Sequence, residues 1–235
     1  LKEVVRQQAG NPIIELATKF RETVNTGQFF SFTPDGHYIA RVDRNDFEQA
    51  MLQDFSNPDW KNSDSKFLAW TNKRVVGYNH AINNQVKGTP NFQVGDYAIC
   101  NKYIYTNRCQ LKTDQLVCIT KLEPATQHNI PGWNVVLNDR HHAFMPSNLD
   151  DKKQAIAAAK KAKDYKKLQT MTDQWIDLRG AYGCTINKSQ GSTYDRVYID
   201  LDDVAKCRQP NTVARMLYVA VSRAREHVYL TGDLV

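Results

Sequence analysis

The sequence predicts an α/β protein: a parallel sheet with helices on both faces, interrupted by a small antiparallel β unit. Short apolar runs alternate with helical periods toward both ends of the chain, as in a sheet covered by helices. From Phe92 to about Met145 that alternation gives way to brief β-rich runs separated by Asn, Asp, Gly and Pro, with no helical period. The chain has 235 residues, 41% of them hydrophobic and 24% charged, which is enough to bury a core and too balanced for a disordered chain. No apolar run approaches the roughly 18 residues of a membrane-spanning helix.

Asn11 is placed to cap a first helix, Pro12 suits its first turn, and Ile13, Ala17, Phe20 and Val24 recur at helical spacing up to Asn25-Thr26-Gly27. A strand-like Tyr38-Ile39-Ala40-Arg41-Val42 follows, and then Asn45 as the cap of a helix carrying Phe47, Ala50, Met51 and Phe55 on one face. Phe67-Leu68-Ala69-Trp70 reads as a buried strand that leads through Thr71-Asn72 into a helix with Val75, Tyr78 and Ile82. After Lys87-Gly88-Thr89-Pro90, the runs 94–100, 115–120 and 133–137 form the inserted antiparallel barrel or sheet. Residues 150–168 are rich in Ala and Lys and predict a helix. Lys152, Lys153, Lys160, Lys161, Lys163, Lys166 and Lys167 stand there against Asp150, Asp151 and Asp164, so most of the chain's net charge of +6 is concentrated in this stretch. Such a face is either plain solvated surface or a track for a phosphate backbone.

The α/β pattern resumes with a strand at 181–185, a loop at 186–195 and a strand at 196–200. The loop is dense in hydroxyls and adds an amide, a Lys and a Gly, a composition suited to an anion. A helix beginning near Lys188 would aim its free amide donors at the same spot as Thr185 and Ser189. An ordinary capped turn accounts for the same residues equally well. The next helix, 211–225, buries Val213, Leu217, Ala220 and Val221, which puts Arg223 at the edge of the stripe and Arg225 on the wetter side, before a strand at 227–230. An edge arginine either snorkels or is aimed at a phosphate.

Cys100, Cys109, Cys118, Cys184 and Cys207 form no C-x-x-C pair, which argues against a disulfide framework and against structural zinc. His141-His142 lacks any H-E-x-x-H context, so no metal site is expected. The sequence begins Leu1-Lys2-Glu3 without an initiating Met or a following secretory apolar stretch, and the expectation is a fragment of a longer cytosolic protein.

Two segments in this order resemble motifs of the superfamily 1 helicases. Thr185-Ile186-Asn187-Lys188-Ser189-Gln190-Gly191 is similar to the family's T-x-H-K-[SA]-Q-G. Leu217-Tyr218-Val219-Ala220-Val221-Ser222-Arg223-Ala224-Arg225 is similar to its L-Y-V-[AG]-[VI]-[ST]-R-[AG]-[RK]. The resemblance is to the RecD-like group, which includes the RecD subunit of exodeoxyribonuclease V and the phage Dda helicase. Arg6 ahead of Asn11-Pro12-Ile13-Ile14 resembles the segment that opens the second RecA-like domain. Ala69-Trp70-Thr71-Asn72-Lys73 resembles A-[FW]-T-N-K, and Val94-Gly95-Asp96 resembles the start of the inserted Src-homology-3-type domain. Asn187 stands where the family has His; it keeps hydrogen bonding to a phosphate but supplies no ring and no titrating group.

The resemblance implies a second RecA-like domain at 1–86 and 179–235, an inserted small β-barrel domain at 87–146 and a Lys-rich helical connection at 147–178. It implies ATP-driven 5′ to 3′ translocation on single-stranded DNA in the cytoplasm of a bacterial or phage-infected cell. ATP and Mg²⁺ would be held mainly by an N-terminal RecA-like domain of the same protein, since this chain has no G-x-x-x-x-G-K-[ST] loop. Arg6 and Arg223 would be the arginines reaching the γ-phosphate, and Gln190 and Gly191 would meet nucleotide. Thr71, Asn72, Thr185, Asn187, Lys188 and Ser189 would hold the DNA backbone. Two other readings of the sequence are a non-catalytic single-stranded nucleic-acid-binding module and a subunit of an exonuclease V-type helicase-nuclease.

Overall fold

The computed structural model describes residues 11–234. In chain order the elements are α1 Pro12–Thr26, β1 Ile39–Arg41, α2 Arg44–Phe55, β2 Ser65–Ala69, α3 Asn72–Lys87, β3 Tyr97–Cys100, β4 Ile104–Tyr105, β5 Gln110–Leu111, β6 Leu116–Gln127, β7 Ile130–Leu137 and β8 His141–Pro146. They continue with α4 Leu149–Lys161, α5 Tyr165–Gln169, a π turn Thr170–Gln174, β9 Leu178–Gly180, β10 Gly183–Thr185, a 3₁₀ turn Ile186–Ser189, β11 Tyr194–Asp200, α6 Leu201–Val204, α7 Pro210–Val221 and β12 Ala224–Thr231. They divide into two compact units, one of the residues up to Pro90 with those from Tyr182 onward, the other Asn91–Ala181. Among the described residues no helix is long and apolar enough to cross a membrane.

The first unit is built on a five-stranded sheet of order β1-β12-β11-β2-β10, parallel throughout. One face is covered by α1 and α7 through Ile13, Phe20, Leu217 and Val221 over Leu68, Val197 and Ile199. The other is covered by α2 and α3 through Phe47, Met51 and Ile82 over Phe67, Ala69 and Tyr198. Every residue of β2 is buried, as a central parallel strand between two helical layers requires. This is the arrangement expected of a RecA-like domain.

The helix ends follow local chemistry. Asn11 accepts from the amide of Ile13 at 2.8 Å, and α1 stops at Gly27, whose φ of 73° lets its amide return to the Thr23 carbonyl. The cap of α2 is Asp43 rather than Asn45: its carboxylate accepts from the Asp46 amide at 2.9 Å, and Asn45 falls inside the first turn. The expected helix over 211–225 ends at Val221. Arg223 lies in the turn, and Ala224 already pairs with Tyr194 as the first residue of β12, so Arg225 is a strand residue. Helical bearings for these two arginines therefore do not apply, because pairing with β11 captures the chain first. No helix begins near Lys188 either. The 3₁₀ turn is closed by the Gln190 amide on the Asn187 carbonyl, and Gly191 follows at φ 87°, a conformation open to glycine and strained for other residues. An anion site built on a helix N-terminus at Lys188 is thus absent.

The second unit carries an antiparallel sheet of order β8-β7-β6-β3-β9 and a separate hairpin of β4 and β5. Ala98, Ile104, Leu111, Val117, Ile119 and Leu137 fill its core. Gly132 in β7 is demanded by close approach, since a Cβ there would lie 2.3 Å from the Met145 carbonyl. The Lys-rich stretch forms α4 and α5, separated at Lys163 (φ 56°), and falls within this unit. Ala159, Met171 and Trp175 pack there against Phe144. Strand β9 then pairs with β3, so the last strand of this sheet comes after the helices.

Candidate functional site

The sequence-predicted residues of the first unit gather at two places. The first is the carboxyl edge of β2 and β10, where Thr185 lies in register with Ala69, so Thr71 and Asn72 follow one strand beside the end of the other. Asn79 of α3 pins this pair, its side-chain amide bonded to both the N–H and the carbonyl of Gly183. Asn72 is exposed as the first residue of α3. Thr71 caps that helix, accepting from the Arg74 amide, and is itself held by Asp203: its amide donates to Oδ2 at 2.7 Å and its hydroxyl to Oδ1 at 2.8 Å.

Asp203 was not legible as a site residue. It is fully buried and also receives the Lys206 ammonium at 2.7 Å. Burial opposes its ionisation, but the bonds from Lys206 and Thr71 outweigh that and hold its carboxyl below the usual carboxylate value. Next to it, buried Asp200 accepts both Arg44 nitrogens, at 3.0 and 3.1 Å, together with Arg74 Nε. Asp200, at the end of β11, is held by Arg44 and Arg74, which tie α2 and α3 to the sheet, and Asp203, in α6, is held by Lys206 and by Thr71 at the start of α3. The run Asp200-Leu201-Asp202-Asp203 was the available signal, and only its partners give it meaning. Asp203→Ala is expected to leave the Thr71 amide without its buried acceptor and to cost about 1–3 kcal/mol, read as a lowered midpoint in urea unfolding.

The second place is the amino edge of β11 and β12, reached from Thr185 by residues 186–193. Thr185 and Ser189 are buried, and the Ser189 hydroxyl donates inward to the Ile186 carbonyl at 2.7 Å. Asn187, Lys188, Gln190 and Gly191 face solvent. Arg223 is half-buried and meets this loop directly: one guanidinium nitrogen donates to the Ser192 carbonyl at 3.1 Å, and its own carbonyl accepts from the Tyr194 amide at 2.8 Å. Two further bonds, Nε to the Val219 carbonyl and Nη2 to Ser222 Oγ, aim the fork back over the end of α7. Arg225 instead pairs with Asp195 at 2.7 Å. Arg6 lies outside the described residues.

Under this loop lies a group the sequence did not single out. Lys66, 1% exposed, donates to Asn62 Oδ1, and its ammonium lies 5.2 Å from the centre of the Tyr194 ring. Burial lowers its pKa to about 8, with Cys184 acting weakly in the opposite direction.

Residues 180–231, which contain both motif segments and all of the second cluster, match the family model of the UvrD-like helicase C-terminal domain. Among solved structures the chain is similar to Pif1 helicases. A structure concerned with DNA unwinding at forked double-stranded DNA by two coordinating Pif1 helicases is 15% identical, with 99% of this chain and 49% of that one covered at a TM-score of 0.47. The Bacteroides Pif1 helicase in complex with ADP-AlF3 and single-stranded DNA is 13% identical, with 100% and 52% covered at a TM-score of 0.48. Candida albicans Pif1 is 14% identical, with 98% and 56% covered at 0.46. The chain spans about half the length of these structures. No curated protein matches it.

Proposed function

We propose that this chain is the C-terminal half of an ATP-dependent superfamily 1 DNA helicase of the RecD/Dda-like kind, moving 5′ to 3′ along single-stranded DNA. The match of residues 180–231 supports the class. The observation that carries the mechanism is the bond from Arg223 to Ser192, because the loop it holds begins at Thr185 on the opposite sheet edge. In this reading Asn72, Thr185, Asn187 and Lys188 bind the DNA backbone at one end of the loop, with Thr71, both of whose donors go to Asp203, positioning the start of α3 and Ser189 holding the turn. Gln190, Gly191 and Arg223 meet nucleotide at the other end, so the loop links strand position to nucleotide state. The inserted antiparallel sheet is read as the family's Src-homology-3-type domain, consistent with its long, bulged β6.

The residues present fit one side of a nucleoside triphosphate: a guanidinium already oriented by three acceptors, and an exposed amide at Gln190. Mg²⁺, when bound, neutralises phosphate charge. Arg223 places a fixed cation where charge develops on the transferring phosphoryl, and its half-burial strengthens that interaction relative to water; Arg6 is read as the second arginine by motif alone. The N-terminal RecA-like domain supplies the phosphate loop.

The chain alone is expected to bind oligo-dT with an affinity that falls steeply with salt, and to show no DNA-stimulated ATP hydrolysis. The intact protein is expected to show both. Turnover by the 235-residue chain itself, or an intact protein indifferent to single-stranded DNA, would overturn the reading.

A further inference from the structure

On the hairpin of the second unit, Ile104 and Leu111 pair and are both buried in the core, so the alternate residues are forced outward. Tyr103 and Tyr105 are the result: 61% and 68% exposed, with ring planes within 5° of parallel and centroids 6.3 Å apart. Two large rings left in water side by side are costly surface unless something flat covers them. From Tyr105 a polar groove of about 910 Å³ runs on past Arg108, Gln127, Asn134, Lys121 and His142. Lys121 there pairs with Glu123 at 2.8 Å, and Asp173 also lines the groove, so its character is that of mixed hydrogen-bonding groups rather than a cationic trough. Parallel aromatic faces continuous with amides and a guanidinium suit unpaired bases, whose faces stack and whose edges and backbone bond.

We propose that Tyr103 and Tyr105 form a stacking platform for unpaired bases of a single-stranded nucleic acid whose backbone continues into the groove beginning at Tyr105. This rests on single-stranded DNA being a ligand of the chain, and adds to it a base-contacting site in the second unit.

Fluorescence anisotropy with a labelled oligo-dT and an abasic oligomer of the same length tests it on the full 235-residue chain. The wild type is expected to prefer oligo-dT. Tyr103→Ala with Tyr105→Ala is expected to weaken oligo-dT binding roughly tenfold or more and to leave the abasic oligomer unchanged. Tyr103→Phe with Tyr105→Phe, which keeps both rings, is expected to retain the preference. Both replaced side chains are exposed, and circular dichroism checks that the fold survives. Equal losses for the two oligomers, or no loss, would overturn the platform while leaving DNA binding in place, and the latter result would leave a protein partner as the occupant of these rings. A wild-type chain that binds neither oligomer would overturn the DNA reading itself.

Discussion

Arg223→Ala in the intact protein is expected to lower DNA-stimulated ATP turnover by roughly 10³-fold or more, with little change in affinity for single-stranded DNA. The separation follows from placement. Arg223 sits at the amino edge of β12 and holds the loop at Ser192, whereas the proposed backbone contacts at Asn72 and Thr185 lie at the carboxyl edges of β2 and β10 and those at Asn187 and Lys188 come in the turn ahead of Ser192. The substitution also removes donors to the Val219 and Ser192 carbonyls, at about 1 kcal/mol each, so modest destabilisation is expected as well. Arg223→Lys separates charge from geometry: it keeps a cation but loses the planar fork that reaches three acceptors at once. The Lys variant is expected to stay slow at saturating ATP, because a cation without the fork is not held in place for transfer. Steady-state turnover with and without DNA decides it, and an Arg223→Ala protein that hydrolyses ATP normally would remove Arg223 from the nucleotide site.

Lys66→Met is expected to stabilise the chain at pH 7 by about 3 kcal/mol, the largest stability change foreseen here. A lysine lowered to about 8 in the fold and near its ordinary 10.5 when unfolded holds its proton less tightly in the native state. Below about pH 8 both states are protonated and the burial penalty stands in full. Between about pH 8 and 10.5 the native state releases its proton first, the unfolded state binds more protons, and stability rises with pH. The advantage of Met should therefore shrink across that window. Tyr78, Tyr194 and Tyr198 have raised pKa values from burial and work against stability at high pH, but they are common to both proteins and cancel in the difference. Urea unfolding of variant and wild type from pH 7 to 10.5 measures it. A difference that does not vary with pH, or a less stable variant at pH 7, would mean that the ammonium is fully compensated by Asn62 and the neighbouring rings.

Local signals read well. Asn11, Pro12 and Gly27 delimit α1 through bonds made within a few residues, and Val75, Tyr78 and Ile82 face the core as their spacing requires. What failed depended on partners far along the chain. The helical period ran through Arg223 and Arg225, but Ala224 is claimed by β11. Lys66 adjoins the apolar run Phe67–Trp70, and nothing local marks it as buried; β2 lies between β11 and β10, so even its first residues are covered. Asp203 reads as one of several acids after a strand, and its bond to Thr71 spans a separation of 132 residues.

By itself the sequence determined that the chain alternates strands and helices around an antiparallel insertion, and that two short segments carry the likeness to helicases, because periodicity, capping and motif spacing are properties of neighbours. Only the tertiary structure decided that those segments meet through Arg223 and Ser192, that Thr71 is held by a buried carboxylate, and that the Lys-rich helices belong with the second sheet. Those outcomes depend on strand order, and strand order is set by which buried faces can be covered at once, a condition no single stretch of residues contains.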